Sequence, residues 1–172
     1  MSRSFLFVPA DSDRKLEKAA GAGADALILD LEDAVAPDRK TTARHMAADY
    51  LEDKDNVWVR VNPVETSYWE ADLDAVMPSR PAGIMLPKPR HARDALRLSE
   101  RIDALEKQHE IEHGQTRIIA LCTEHPEALF TLHSYIASVP RLAGLSWGAE
   151  DLSVAVGATA NRDERGNWLP TY

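Results

Sequence analysis

At 172 residues, with 44% hydrophobic and 28% charged residues, the chain has the length and composition of one soluble globular domain with a sizeable core. Its 20 basic against 28 acidic residues give a net charge of −8, which argues against a nucleic-acid or anionic-membrane surface, and no apolar run approaches the roughly 20 residues that span a bilayer. The single Cys122 cannot form an internal disulfide and no basic leader opens the chain, so a reducing, cytoplasmic setting is expected.

The first predicted element is a strand, "SFLFVP" from Ser4, followed by the helical pattern "DRKLEKAAGAGA". In that helix Arg14 and Lys18 lie one turn apart on one face, where a phosphate group or only solvent could meet them. The second strand, "ALILDLE" from Ala26, is apolar and then places Asp30, Glu32 and Asp33 within four positions. Two carboxylates about 4 Å apart repel by about 4 kcal/mol near a protein surface, so a positive partner is required. A helix over "DRKTTARHMAADYLEDK" leads to the third strand, "NVWVRVN" from Asn56, which ends in Arg60 and Asn62. "WEADLDAVM" is helical and precedes the strand "GIMLPK" from Gly83, ending in Lys88. The long amphipathic "HARDALRLSERIDALEKQHE" precedes "RIIALCTE" from Arg117, which ends in Glu124. A helix is predicted over "PEALFTLHSYIAS" with Pro126 in its first turn, then a sixth strand, "LAGLSWG" from Leu142, and finally a loop over "ANRDERGNWLPTY".

Near-continuous apolar strands alternating with amphipathic helices indicate an α/β fold with a parallel sheet and right-handed crossovers. An open doubly wound sheet would carry a glycine-rich turn after its first strand, whereas that strand runs into "VPADSDRK". The expected architecture is therefore a (β/α)₈ TIM barrel. Such a barrel takes about 250 residues and eight units, and about six are present here. The expectation is one barrel domain over 1–172, incomplete at its C-terminus.

In a barrel the functional groups collect at the carboxyl ends of the strands. Five of the six predicted strands end in ionisable groups. Each has a structural alternative: Asp30 and Asp33 as turn caps, Arg60 as their neutralising partner, Lys88 as a solvated loop lysine. Glu124 and Asp151 stand one unit apart with no His or Cys cluster nearby, which suits a hard divalent cation such as Mg²⁺. Period-two alternation would put Cys122 on the same face as Glu124, most simply as a buried, inert thiol.

"RSFLFVPADSDRKLEKAAGAGADALILDLEDAVAPDRKTTAR", "VRVNP", "IMLPK", "TEHPEALF" and "LSWGAEDLSVAVG" resemble, in order, the motifs of the citrate lyase β-subunit-like and malyl-CoA lyase branch of the HpcH/HpaI aldolase/citrate lyase family. The resemblance implies that Glu124 and Asp151 bind Mg²⁺, that Arg60 is a substrate arginine oriented by Glu32 and Asp33, and that the backbone of Trp147, Gly148 and Ala149 receives a substrate carboxylate. It also places Arg14 and Lys18 near coenzyme A phosphates, and it implies that Arg60 and the metal balance the strand-end acids.

The activity so implied is a Mg²⁺-dependent carbon–carbon lyase. It would cleave or form a 3-hydroxyacyl-CoA such as malyl-CoA or citryl-CoA, with a 2-oxo acid and an acyl-CoA as partners, in a homo-oligomer, trimer or hexamer. Alternatives are a metal-dependent aldolase acting on free 2-oxo acids, or a non-catalytic subunit that binds Mg²⁺ and oxo acid. Related aldolases carry histidine where this chain has Asp33, which disfavours the former. Coenzyme A-dependent members complete the site with an acidic residue on a C-terminal segment, so no catalytic acid/base is assigned within these 172 residues.

Overall fold

The computed structural model describes residues 2–136 and 139–169. Six strands, β1 (Phe5–Pro9), β2 (Ala26–Asp30), β3 (Val57–Arg60), β4 (Gly83–Leu86), β5 (Arg117–Leu121) and β6 (Leu142–Ser146), form one sheet in the order β1-β2-β3-β4-β5-β6. Every pairing is parallel. All six predicted strands form. A doubly wound sheet reverses its strand order at a switch point. Here successive strands are simply neighbours, as in a barrel wall, and β1 and β6 are the two edges among the described residues.

The helices are α1 (Asp13–Ala20), α2 (Lys40–Leu51), α3 (Trp69–Val76), α4 (Ala92–Gln108), α5 (Pro126–Leu129) and α6 (Ala149–Ala155). The apolar stripes of α1 to α4 share one core with alternate strand residues. Leu16, Ala43, Ala47, Leu73, Leu98 and Ile102 pack with Leu29, Val59, Ile84, Leu86, Ile118 and Ala120. Fully burying one such Leu or Ile contributes about 1.5–3 kcal/mol, so this layer is the main source of stability. Side chains of opposite parity, Ile28, Trp58, Met85 and Leu121, form a second cluster without helical residues on the other face. Gly83 lets β4 approach there, since a Cβ at that position would lie 2.2 Å from the Trp58 ring. Phe5, Phe7 and Leu145 remain exposed.

Two elements differ from the sequence reading. The helix expected over 126–138 is one turn, α5, followed by a 3-10 turn over Leu132–Tyr135. Thr131 Oγ1 lies 2.7 Å from Arg90 O and 3.1 Å from Ala128 O, so its hydroxyl ties the chain to the loop before α4 and competes for a carbonyl that would have continued the helix. The last two residues of that expected helix, 137 and 138, lie outside the described residues. After β6 the chain forms α6, which the sequence reading did not assign, and Arg162 and Trp168 then form an isolated antiparallel bridge.

At the N-terminal end of the strands, Arg141 precedes β6 and is buried against Glu106 of α4, with NH1 to Oε1 at 2.8 Å. Glu106 also accepts from the amides of Gly114 and Thr116 at 2.8 and 2.9 Å, and Asp103 bonds the same guanidinium. No helix among the described residues is long and apolar enough to cross a membrane.

Candidate active site at the carboxyl ends of the strands

The pairing of β2 with β3 sets Asp30 beside Arg60. Both are last in their strands and point away from the helical layer, so the sheet register itself delivers a cross-strand ion pair to the rim. Arg60 Nε donates to Asp30 Oδ1 at 2.8 Å and its NH2 to Oδ2 at 2.6 Å, a two-pronged contact with a nearly buried carboxylate. The NH1 atom lies 3.0 Å from Glu32 Oε2, and the guanidinium is over the Phe7 ring at 5.0 Å. Burial works against its charge. The hydrogen bonds and charge of Asp30, together with Glu32 and Asp33, more than offset this and hold its pKa above the ordinary value.

Asp30 also caps the following turn, accepting from the amides of Glu32 at 2.9 Å and Ala34 at 3.2 Å. The capping and ion-pair readings of this residue are therefore both true. The sequence reading had Glu32 and Asp33 orienting Arg60. Glu32 does contact it, but the principal partner is Asp30, and Asp33 turns to Lys88, with Oδ2 2.8 Å from its ammonium.

Lys88, which the sequence alone allows as a solvated loop lysine, is held by carboxylates. Its ammonium donates to Glu32 Oε1 at 2.7 Å and Asp33 Oδ2 at 2.8 Å and lies 3.7 Å from Asp151 Oδ2. Burial opposes its charge too, yet Asp33 and Glu32 raise its pKa above the ordinary lysine value. Its backbone is left-handed, φ 53°, between Pro87 and Pro89, and its amide donates to Glu124 Oε2 at 2.5 Å. A cation just past β4, two strands from the acids that follow β2, was the available signal. The positive partner required by the opening carboxylates is thus supplied by two side chains, Arg60 and Lys88.

Glu124 follows β5 and is 3% exposed. The strand stops at Leu121, and the chain turns before Glu124, which breaks the period-two alternation. Cys122 consequently packs in the helix-side core, whereas Glu124 lines the rim cavity. The expectation that the two share a face does not hold; the buried thiol does, and burial raises its pKa. Burial pushes the Glu124 carboxyl up to about 8, against the Lys88 amide and reinforced by the adjacent carboxyl of Asp151.

Glu124, Asp151, Arg60, Asp33 and Phe7 line a single cavity of about 730 Å³, together with Trp147, Gly148, Ala149 and Trp168. Gly148 is packed so closely on Glu124 that a Cβ would lie 2.2 Å from its Cγ. In the backbone of Trp147, Gly148 and Ala149, expected to receive a substrate carboxylate, the Gly148 amide donates to Thr123 Oγ1 at 2.8 Å. Arg14 and Lys18 are exposed on α1, outside the cavity lining. Trp168, read only as part of a loop, is a wall of the cavity; nothing local in its sequence marked it.

Two facing carboxyl groups, one of them buried and pushed toward neutrality, form a donor set that a hard divalent cation relieves. Mg²⁺ takes one or two carboxylates and keeps several waters, and the open cavity leaves room for them. Glu124 and Asp151 therefore fit such an ion. A second acidic group, Asp103, Glu106 and His113, has ligand atoms within 4.8 Å of one another, but the Arg141 guanidinium already lies among them.

Comparison with known proteins places this geometry in a family. The chain is 34% identical over 165 residues to a (3S)-malyl-CoA thioesterase of Cereibacter sphaeroides, covering 94% of this chain and 53% of that protein. It is 34% identical over 154 residues to the citrate lyase subunit beta of Escherichia coli, covering 87% and 50%. It thus spans about half the length of the curated relatives it matches. Among solved structures it resembles the citrate lyase beta subunit of M. tuberculosis complexed with oxaloacetate and magnesium, with a TM-score of 0.76 at 31% identity over 97% of this chain and 67% of that one. The protein CitE of the same organism, in complex with magnesium, acetoacetate and coenzyme A, matches with a TM-score of 0.76 at 31% identity over 97% and 56%. Residues 3–166 match the HpcH/HpaI aldolase/citrate lyase family model, and the chain belongs to that family.

Proposed function

We propose that this chain carries the oxo-acid half of a Mg²⁺-dependent carbon–carbon lyase site, which cleaves or forms a 3-hydroxyacyl-CoA such as malyl-CoA or citryl-CoA. The observation that carries the reading is the meeting of Glu124 and Asp151 on one cavity wall beside Arg60. Support comes from relatives whose names include malyl-CoA thioesterase and citrate lyase subunit beta, and from similar structures holding magnesium with oxaloacetate or with coenzyme A.

Glu124 and Asp151 would hold the cation, which when bound supplies Lewis-acid polarisation of an oxo-acid oxygen. The chain's own residues do the rest. Glu124 presents a carboxylate fixed by the Lys88 amide on one side and by the Gly148 backbone on the other. Arg60 keeps its charge throughout the working pH range, and its fork is pre-set by Asp30, so it meets charge developing on a thioester enolate oxygen without reorganising. Phe7 beneath the guanidinium excludes water from one side. Lys88 neutralises Glu32 and Asp33, so that their charge does not repel an anionic substrate.

Calorimetric titration with MgCl₂ and then oxaloacetate tests the site directly. Ordered binding, lost in Asp151→Asn, is the expected result; unchanged binding in that variant excludes this pair as the metal site. The name of the C. sphaeroides relative favours a second reading, thioester hydrolysis. Product analysis with malyl-CoA separates the two, since carbon–carbon cleavage gives glyoxylate and acetyl-CoA whereas hydrolysis gives malate and free coenzyme A.

A further inference from the structure

Below the rim, outside the cavity lining, one cation is removed almost entirely from water. Lys40 opens α2, a position from which a lysine ordinarily extends into solvent, yet its side chain turns inward and the residue is 7% exposed. Its ammonium donates to Leu31 O at 2.7 Å, Glu32 O at 2.8 Å and Asn62 Oδ1 at 2.8 Å. Three acceptors match its three protons, and none is a carboxylate. Burial lowers its pKa, offset in part by the charges of Asp72 and Glu32. A buried ammonium held by neutral oxygens is a costly way to fill space, and a methionine would fill it more cheaply.

The identity of the acceptors shows what the charge secures. Two belong to the segment that carries the Glu32 carboxylate; the third belongs to the segment that follows Arg60. Asn62 Nδ2 in turn donates to Leu31 O at 3.0 Å and to Asp72 Oδ2 at 2.6 Å, and Arg44 Nε holds Asp72 at 2.7 Å. The ends of β2 and β3 are therefore stapled directly beneath the Arg60–Glu32 contact.

We infer that Lys40 is a positioning residue that fixes the Leu31–Asp33 segment against Asn62, so that the Glu32 carboxylate stands between Arg60 and Lys88 where an oxo acid is received. The inference rests on the function proposed above for the rim. Lys40 touches no ligand and acts through Glu32.

A double-mutant cycle of Lys40→Met with Glu32→Gln tests it, read by oxaloacetate affinity in saturating Mg²⁺ and by hydrogen–deuterium exchange. K40M is expected to weaken oxaloacetate by about tenfold or more, as loss of a buried support to a ligand-binding group does. In the E32Q background K40M should cost less than about twofold more, because both changes disable one device. Amides of Glu32 and Ala34 should exchange at least about tenfold faster in K40M, while those of β4 are unchanged. Wild-type affinity in K40M, an equal penalty in both backgrounds, or unchanged exchange at 32 and 34 each overturns the inference. If the wild-type chain binds no oxaloacetate, the proposed function fails, and exchange alone decides this inference. Should K40M not fold, Asn62→Ala, which keeps the ammonium and removes one of its three acceptors, carries the same two readouts.

Discussion

The molecule holds two clusters of buried acids with arginine, one at each end of the sheet, and they are electrostatic opposites. At the N-terminal end, Glu106 is buried, but the Arg141 guanidinium and two backbone amides more than compensate, so its pKa falls below the ordinary carboxylate value. At the carboxyl end, burial raises the pKa of both Glu32 and Glu124, and Asp151 adds to the strain on Glu124 rather than relieving it. One cluster is satisfied by the chain itself; in the other, Arg60 and Lys88 answer Asp30, Glu32 and Asp33, but no cationic side chain among the described residues pairs with Glu124. In (β/α)₈ barrels, stability collects at one face and ligand chemistry at the other. The sign of the carboxylate shifts separates the two ends without reference to any relative.

The sharpest way to break this comparison is at the satisfied end. Arg141→Met should strand Glu106 in the core and destabilise the fold by about 3–5 kcal/mol in denaturant titration, with Mg²⁺ binding by the surviving folded protein unchanged. At the unsatisfied end, Glu124→Gln removes a carboxylate that gains little from the protein. It should abolish Mg²⁺ binding while leaving the thermal midpoint of the metal-free protein equal or higher at pH 8 and above. Arg60→Lys should weaken oxaloacetate by about tenfold or more, measured by calorimetry, because a point charge cannot span both Asp30 oxygens and still face the cavity.

The mildest test is pH. Glu106 has a depressed folded-state pKa, so its contribution is present above the ordinary carboxylate value and is lost as pH falls through the folded one. Glu124 runs the other way. Its contribution is fully present below the ordinary value of 4.5 and is lost as pH rises through about 8. Metal-free protein should therefore lose stability between pH 4.5 and about 8 by at most about 1.4 kcal/mol per pH unit from this group, and Mg²⁺ should erase that loss. For the same reason, Mg²⁺ affinity should rise between pH 6 and 9, as the ion ceases to compete with a proton. A flat thermal midpoint over that range without metal would contradict the assignment.

The strands and the site were legible in the sequence to different depths. Apolar runs are local signals, and all six strands begin within a residue of where those runs begin. Arg60 could be placed near the acids of β2 because both end strands, but its preference for Asp30 over Asp33 is set by the β2–β3 register, which no local pattern records. Lys88 was hidden because its role depends on a left-handed backbone and on partners 55 and 56 positions away. Lys40 looked like any polar residue at a helix start. Likewise α5 was overextended, since apolar spacing over 126–136 gave no warning that Thr131 would bond Arg90. What the sequence conceals in each case is a contact between distant segments, not an element.

The left-handed backbone at Lys88 carries a conformational cost. Glycine adopts that conformation freely, whereas a side chain there forfeits about 1 kcal/mol or more. A glycine there would keep the amide that meets Glu124 but lose the ammonium that meets three carboxylates. Lys88→Gly would thus ease the main chain while stripping the acids of their counterion, making position 88 a place where comfort of the fold and readiness of the rim are traded directly against each other.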